Sequence, residues 1–214
     1  HDDLIIWQSS SQAITVNASR SVEKKINQLK SNVISIKDNN SFFIRLIKLI
    51  RVHQWSKNLL LFLPSILAMS ASFNGLVQTF AGFIAFSLTA SAFYIFNDLL
   101  DIENDREHIK KKYRPLAAGD IQILDSATCF FSMIAASIII SLYLEPTFQL
   151  ILLLYAILTF TYSKLLKKIP VLDIITLASL YVIRIVGGAS ITNLDVSNWL
   201  FTFSAFFFLF LASV

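Results

Sequence analysis

What most constrains this chain is the series of long apolar stretches that recurs from residue 58 to its end. They lie near 58–73, 77–97, 123–144, 147–163, 171–192 and 198–214. A helix that crosses a bilayer needs about 20 largely apolar residues, with about 17 as the lower limit. The first and last stretches stand at the edge of that length and the others meet it. The composition agrees: 55% of residues are hydrophobic and 15% are charged, whereas soluble domains are about 45–50% apolar. The chain therefore reads as an all-α, polytopic integral membrane bundle of about six spans. Its single cysteine, Cys129, excludes an internal disulfide framework and a cysteine-built zinc site.

The charges supply the topology. Segments 44–57, 101–120 and 164–170 carry four, five and three Lys/Arg, while the turns 74–76, 145–146 and 193–197 carry none. Basic and non-basic connections alternate, as expected of a chain whose Lys/Arg-rich loops stay on the cytoplasmic side. The N-terminal segment and both basic loops are thereby assigned to the cytoplasm, and the membrane is expected to be a bacterial inner membrane. The net charge of +4 is dispersed over several loops rather than gathered into one patch, so nucleic acid is not an expected partner.

Residues 1–43 differ in character. "QAITVNAS" and "SNVISIKD" read as strands, and "SVEKKINQLK" between them reads as a helix opened by a serine cap. About 40 residues are too few to bury a core of their own. This stretch is expected to be a short soluble α/β remnant or extension of a cytosolic domain, with the membrane domain running over 44–214. The abrupt start at His1, and a last span ending at Val214 without a polar cap, read as cuts in a longer protein.

One charged segment carries chemistry. "FYIFNDLLDIENDREHIKKKYRPLAAGD" leaves the second span directly, and Asn97, Asp98, Asp101 and Asp105 recur at i, i+1, i+4 and i+8. On one continuous helix they would sit at roughly 0°, 100°, 40° and 80°, on one side and over about 12 Å of axis. Three carboxylates that close repel one another unless protonated or bridged by a cation. Mg²⁺ suits them, because it takes oxygen ligands from a few carboxylates plus substrate phosphates. Arg106, Lys110, Lys111, Lys112 and Arg114 follow, so the segment has the makings of a diphosphate clamp. A solvated helix end with an ordinary basic loop accounts for Lys110–Lys112 equally well. It accounts poorly for Asn97 and Asp98, which still lie at the apolar boundary, where ionisable groups are costly.

"NDLLDIEND" resembles the NDxxDxxxD signature of the UbiA superfamily of intramembrane prenyltransferases, and "RPLAAGDI" is similar to the segment that follows it. "YSKLLKKIPVLD" resembles the YSxxLK region at the end of that family's fourth helix. "IRVHQWSKNLL" resembles the first-helix motif of one branch, the polyprenyl-phosphate phosphoribosyltransferases. The resemblance covers residues 44 to the end. "DDLIIWQSSSQAITVNAS" is faintly similar to the closing unit of haloacid dehalogenase-like phosphatases. The family resemblance implies nine helices around a cavity, of which this chain holds about six. It also implies a second motif beyond the sixth helix.

The activity so implied is transfer of the 5-phosphoribosyl group from phosphoribosyl diphosphate to a polyprenyl phosphate. Asp98, Asp101 and Asp105 would hold Mg²⁺ against the leaving diphosphate, and Asn97 would position a ligand or water. Gln54, Lys57 and Arg114 would reach phosphates, although Lys57 also reads as a snorkelling interfacial anchor. Tyr162 and Lys167 end the fourth span level with the acidic cluster; for Tyr162 an aromatic-belt role stands beside a substrate role. Asp173 and Arg184, 11 residues apart, share a helix face, and Arg184 lies deep in an apolar span. A phosphate or carboxylate inside the bundle is its expected partner. Gly187 and Gly188 beyond it read as a close helix contact. The rival within the superfamily moves a polyprenyl chain from its diphosphate to an aromatic acceptor. A transporter is a remote alternative, because carriers bind substrate near the midplane.

Overall fold

The structure is a computed structural model that describes residues 13–16, 24–26, 28, 33–36, 42–68 and 72–213. The chain divides into two compact units, His1–Arg45 and Leu46–Val214. In the first, β1 (Ala13–Val16) and β2 (Val33–Ile36) pair in parallel with Ala13 opposite Val33. Residues 24–26 between them are helical, so the two expected strands and the intervening helix are present. The remainder of the phosphatase-like stretch lies outside the described residues.

The second unit is helical. After α1 (Phe42–Ile50) come a 3₁₀ helix (Val52–Phe62) and α2 (Leu63–Leu67). The long α3 (Phe73–Leu100) and the short α4 (Ile102–Glu107) follow, then α5 (Ile123–Ser141), α6 (Pro146–Lys164), α7 (Pro170–Ile191) and α8 (Asn198–Ser213). Prolines open α6 and α7, where the missing N–H costs nothing. Among the described residues, α3, α5, α6 and α7 are long and apolar enough to cross a membrane, and α8 is a shorter apolar helix. The fold is thus the expected all-α membrane bundle.

The first expected span is corrected. The stretch read as a helix over 58–73 is instead wound as a 3₁₀ helix from Val52 and ends as α2 at Leu67. From Asn58 onward the stretch holds five 3₁₀ residues at about 2.0 Å and five α-helical ones at about 1.5 Å, roughly 18 Å against about 30 Å of hydrocarbon core.

Apolar side chains face both ways. Phe86, Phe148, Leu61 and Ile191 fill the interior, while Leu150, Leu153, Leu154 and Ile157 of α6 point outward at 54–66% exposure. Such helices suit lipid rather than water. With little hydrophobic drive between helices in lipid, small and hydroxylic residues bring them together. Ser137 on α5 donates to the Ala85 carbonyl (2.7 Å) and shares a 2.7 Å hydrogen bond with Thr89, fixing α5 to α3.

A 3₁₀ helix stacks residues three apart on one face, and this one uses that face. Trp55 Nε1 donates to Ser91 Oγ (2.9 Å) and Asn58 Nδ2 to Ser87 Oγ (2.9 Å), two hydroxyls one turn apart on α3. Gly188 on α7 meets the same segment from the other side. A Cβ there would collide with the Leu61 backbone carbonyl.

The three turns without Lys/Arg meet at one end of the bundle, where Ser72, Glu145 and Asn193 line one small polar cavity. The basic loops and the acidic cluster meet at the opposite end.

Candidate active site

At that basic end a cavity of about 270 Å³ opens between the 3₁₀ helix, α3, α6 and α7. Asn97 and Asp101 come from the end of α3, and Lys111 and Arg114 from the loop after it. Tyr162 and Lys167 arrive from the end of α6 and the turn beyond, Lys57 from the 3₁₀ helix and Arg184 from α7. The structure therefore brings together seven of the sequence-predicted residues: Lys57, Asn97, Asp101, Arg114, Tyr162, Lys167 and Arg184. Gln54, Asp98, Asp105 and Asp173 do not line the cavity wall.

The acidic motif is not one continuous helix. Helix α3 ends at Leu100, Asp101 takes a non-helical conformation (φ −103°, ψ 14°), and α4 begins at Ile102. This break separates the side chains that an ideal helix would hold on one side. Asp98 and Asp105 turn inward and are 3% and 2% exposed, whereas Asp101 faces the cavity.

Each carboxylate has its own cation. Both Asp98 oxygens accept from Arg51 Nη2, at 2.6 and 2.8 Å. Arg114 Nη1 bridges Asp98 (3.1 Å) and Asp105 (2.6 Å). Lys167 Nζ donates to Asp101 Oδ2 (2.7 Å) and Asn97 Oδ1 (3.4 Å). Buried carboxylates survive only when paired in this way.

Arg51 was not among the sequence-predicted residues; it is one of the four basic residues of the segment 44–57. Its backbone is left-handed (φ 57°, ψ 47°) at the break between α1 and the 3₁₀ helix, a conformation that costs a side-chain-bearing residue on the order of 1 kcal/mol. This turn aims the guanidinium at Asp98, with Tyr94 packed beneath it, 5.0 Å from ring centroid to Cζ. A lone arginine among topology charges carries no sequence signal for such a bend.

Deeper in the cavity lies Arg184, 5% exposed. Its Nε donates to Asn58 Oδ1 (2.8 Å), Nη2 to the Tyr155 hydroxyl (3.3 Å), and Nη1 to the Leu180 carbonyl. The rings of Phe86, Tyr155 and Tyr181 surround it at 5.2–5.7 Å. The carboxylate expected inside the bundle is absent from this set; an amide, a hydroxyl, a carbonyl and three π faces take its place. They give each guanidinium nitrogen a partner but no opposite charge. Tyr181 also carries Lys57 on its ring, 5.9 Å from the centroid. Asp173, which shares the helix with Arg184, instead accepts from the Tyr162 hydroxyl (2.8 Å) at the cavity rim.

The electrostatic balance follows. Six cations (Arg51, Lys57, Lys111, Arg114, Lys167 and Arg184) line the wall, which carries Asp101 as its carboxylate. Counting the adjacent Asp98, Asp105 and Asp173 as well still leaves two more cations than carboxylates. A cavity walled by low-dielectric helices focuses such a field on anions.

Among the described residues no three acidic, histidine or cysteine side chains converge as ready-made metal ligands. Asp101 and Asn97 offer two oxygens toward the cavity, both now held by Lys167. That donor set suits Mg²⁺, which binds through one or two carboxylates completed by phosphate oxygens and water. The residues fit a metal that arrives with a phosphate-bearing substrate.

The UbiA prenyltransferase family model matches residues 58–214. The uncharacterized protein y4nM of Sinorhizobium fredii is 38% identical over 98% of this chain and 41% of its own length. Decaprenyl-phosphate phosphoribosyltransferase of Mycobacterium tuberculosis is 32% identical over 78% of this chain and 57% of its own. The chain thus spans roughly half the length of these curated relatives. A UbiA homolog from Archaeoglobus fulgidus, solved with DMAPP and Mg²⁺, superposes with a TM-score of 0.65 at 22% identity, covering 77% of this chain and 60% of that one. An all-α membrane bundle, an acidic motif at the head of a cationic cavity and a family match over most of its length together establish that this chain belongs to the UbiA prenyltransferase family.

Proposed function

We propose that this protein transfers the 5-phosphoribosyl group from phosphoribosyl diphosphate to a polyprenyl phosphate, releasing diphosphate. The observation that carries the reading is the cavity's charge: six cations face one wall carboxylate inside a membrane bundle. Both proposed substrates bring phosphates to one place, one from solution and one from the bilayer. The 32% identity to a decaprenyl-phosphate phosphoribosyltransferase and the "HQWSKN" segment point the same way.

Mg²⁺, when bound, would neutralise the charge that develops on the departing diphosphate. Asp101 and Asn97 would hold it from the cavity side, with Asp98 and Asp105 of the same motif behind them. Arg114, Lys111 and Lys167 take the phosphate oxygens that remain, held ready before the charge develops. The acceptor phosphate is already anionic, so its attack on the sugar carbon requires no strong base, and a site rich in cations and poor in histidine suffices. Tyr162, oriented by Asp173, closes the rim. Gln54, three residues beyond Arg51 and outside the cavity wall, would serve as a second-line phosphate contact.

Arg184 separates the two donor types. A sugar donor carries a second anion, its 5-phosphate, whereas a prenyl diphosphate carries a hydrocarbon tail. A buried guanidinium without a carboxylate partner favours the anion and penalises the tail. In this reading the basic end faces the cytoplasm of a bacterial inner membrane, and residues 1–43 belong to a soluble cytosolic part.

Equilibrium binding to the protein in lipid nanodiscs tests the assignment. Labelled phosphoribosyl diphosphate with Mg²⁺ is expected to bind, to resist competition by geranyl diphosphate, and to be lost in Arg184→Met. Preferential binding of the prenyl diphosphate, unaffected by Arg184→Met, would overturn the phosphoribosyl reading in favour of prenyl transfer to an aromatic acceptor.

A further inference from the structure

Asp98 is the most heavily engaged carboxylate in the cluster. It is 3% exposed and accepts three hydrogen bonds, two from Arg51 and one from Arg114. A carboxylate offers about four acceptor positions, so nearly all of them are occupied by guanidinium. A cation cannot reach these oxygens while Arg51 stays in place, because the two positive charges compete for the same lone pairs.

Arg51 itself has an alternative. Its side chain lines the cavity and is 21% exposed, against 4% for that of Asp98. The left-handed backbone at Arg51 is braced on both sides, with its N–H on the Ile47 carbonyl (3.1 Å) and its carbonyl on the Gln54 N–H (2.8 Å). The base of the side chain is therefore fixed, while the guanidinium stands between a buried carboxylate and an anion-binding cavity. Tyr94 provides a flat surface on which it can slide without losing its cation–π contact.

We infer that Arg51 is a positioning residue that exchanges Asp98 for a substrate phosphate, and so makes metal binding at Asp98 conditional on arrival of the diphosphate. In the empty cavity Arg51 keeps Asp98 oriented and closed to cations. An incoming diphosphate offers Arg51 a stronger anion, Arg51 turns toward it, and Asp98 becomes available to the metal that accompanies the substrate. Metal and diphosphate thereby bind as a unit, and a stray divalent cation does not occupy the site alone. The inference rests on the Mg²⁺–diphosphate part of the proposed function, and not on the identity of the group transferred.

The test uses metal alone, so that no substrate assignment enters. Mn²⁺ binding to the protein in nanodiscs is followed by electron paramagnetic resonance for the wild type, Arg51→Gln, Arg51→Lys and the double variant Arg51→Gln/Asp98→Asn. An adjacent opposite charge changes a carboxylate's cation affinity by about tenfold or more. Arg51→Gln is therefore expected to tighten Mn²⁺ binding by at least about tenfold, and the double variant to lose that gain. Arg51→Lys keeps the charge on a shorter side chain that reaches the two Asp98 oxygens less well, so a smaller gain in the same direction is expected. It also serves if Arg51→Gln proves unfolded in a melting scan. Unchanged or weaker Mn²⁺ binding in a folded Arg51 variant overturns the inference, since that is what a purely structural arginine would give. Absence of Mn²⁺ binding in every variant contradicts both the inference and the metal clamp, whereas failure of the donor-binding experiment alone leaves the inference standing.

Discussion

Gly187 and Gly188 are neighbours in one helix, yet the structure predicts opposite outcomes for the same substitution. A Cβ on Gly188 would strike the Leu61 carbonyl and lie 2.7 Å from its carbon and 2.8 Å from its Cα. Backbone atoms cannot swing aside as a flexible side chain can. Overpacking costs about 1–3 kcal/mol, and a backbone clash belongs at the upper end. The alanine recovers about 1 kcal/mol of helix propensity over glycine, leaving a net loss of about 2 kcal/mol. For a chain of this size that lowers the melting temperature by about 4–8 °C. A Cβ on Gly187 meets nothing closer than Ile151 at 3.5 Å, an ordinary contact, so Gly187→Ala keeps the propensity gain and melts at or above the wild-type temperature. Gly188→Ala should also weaken donor binding, because the displaced segment carries Asn58, which holds Arg184. The assay is thermal unfolding of the purified protein in detergent or nanodiscs. Equal melting of the two variants would refute the close-approach argument.

Three further outcomes follow from the site. Asn58→Asp gives Arg184 the carboxylate it lacks; melting should hold steady or rise while affinity for phosphoribosyl diphosphate falls by about tenfold, as expected when a cation is neutralised. Lys167→Met frees Asp101 and Asn97 but removes a phosphate contact, and turnover should drop by about 10²-fold, the usual effect of losing one preorganised donor. Tyr162→Phe loses one hydrogen bond to Asp173, worth about 1 kcal/mol, so donor binding should weaken only severalfold in an equilibrium titration.

Much of this was legible in the sequence because it depends on spacing and bulk polarity. The apolar stretches locate four spanning helices to within a few residues. Alternating loop charge places the basic segments at one end and the turns without Lys/Arg at the other, as the two cavities show. The motif residues Asn97 and Asp101, together with Arg114, Tyr162 and Lys167, meet as their positions near helix ends suggest.

What was not legible depends on local departures from ideal helices. An ideal wheel puts Asp98, Asp101 and Asp105 on one side; the break at Asp101 sends two of them inward and one outward. Arg51 reaches Asp98 through one left-handed residue, a conformation that arginine does not advertise. Asn58 sits where an apolar span was expected to begin. Only the 3₁₀ winding of that segment brings it and Trp55 onto the face that meets α3. Arg184 was read as needing an anion within the bundle, but the fold gives it neutral partners and leaves its charge to the cavity.

The most direct measurement of the central claim follows two labels at once. Phosphoribosyl diphosphate labelled in the ribose, and separately in its diphosphate, is mixed with Mg²⁺, a polyprenyl phosphate and membranes containing the protein, and both labels are then partitioned between water and organic solvent. The account predicts that ribose label enters the organic phase while diphosphate label stays in water, and that Asp101→Asn or EDTA abolishes the transfer. Ribose label that remains in water, while a polyprenyl diphosphate is consumed with an aromatic acceptor, would contradict it.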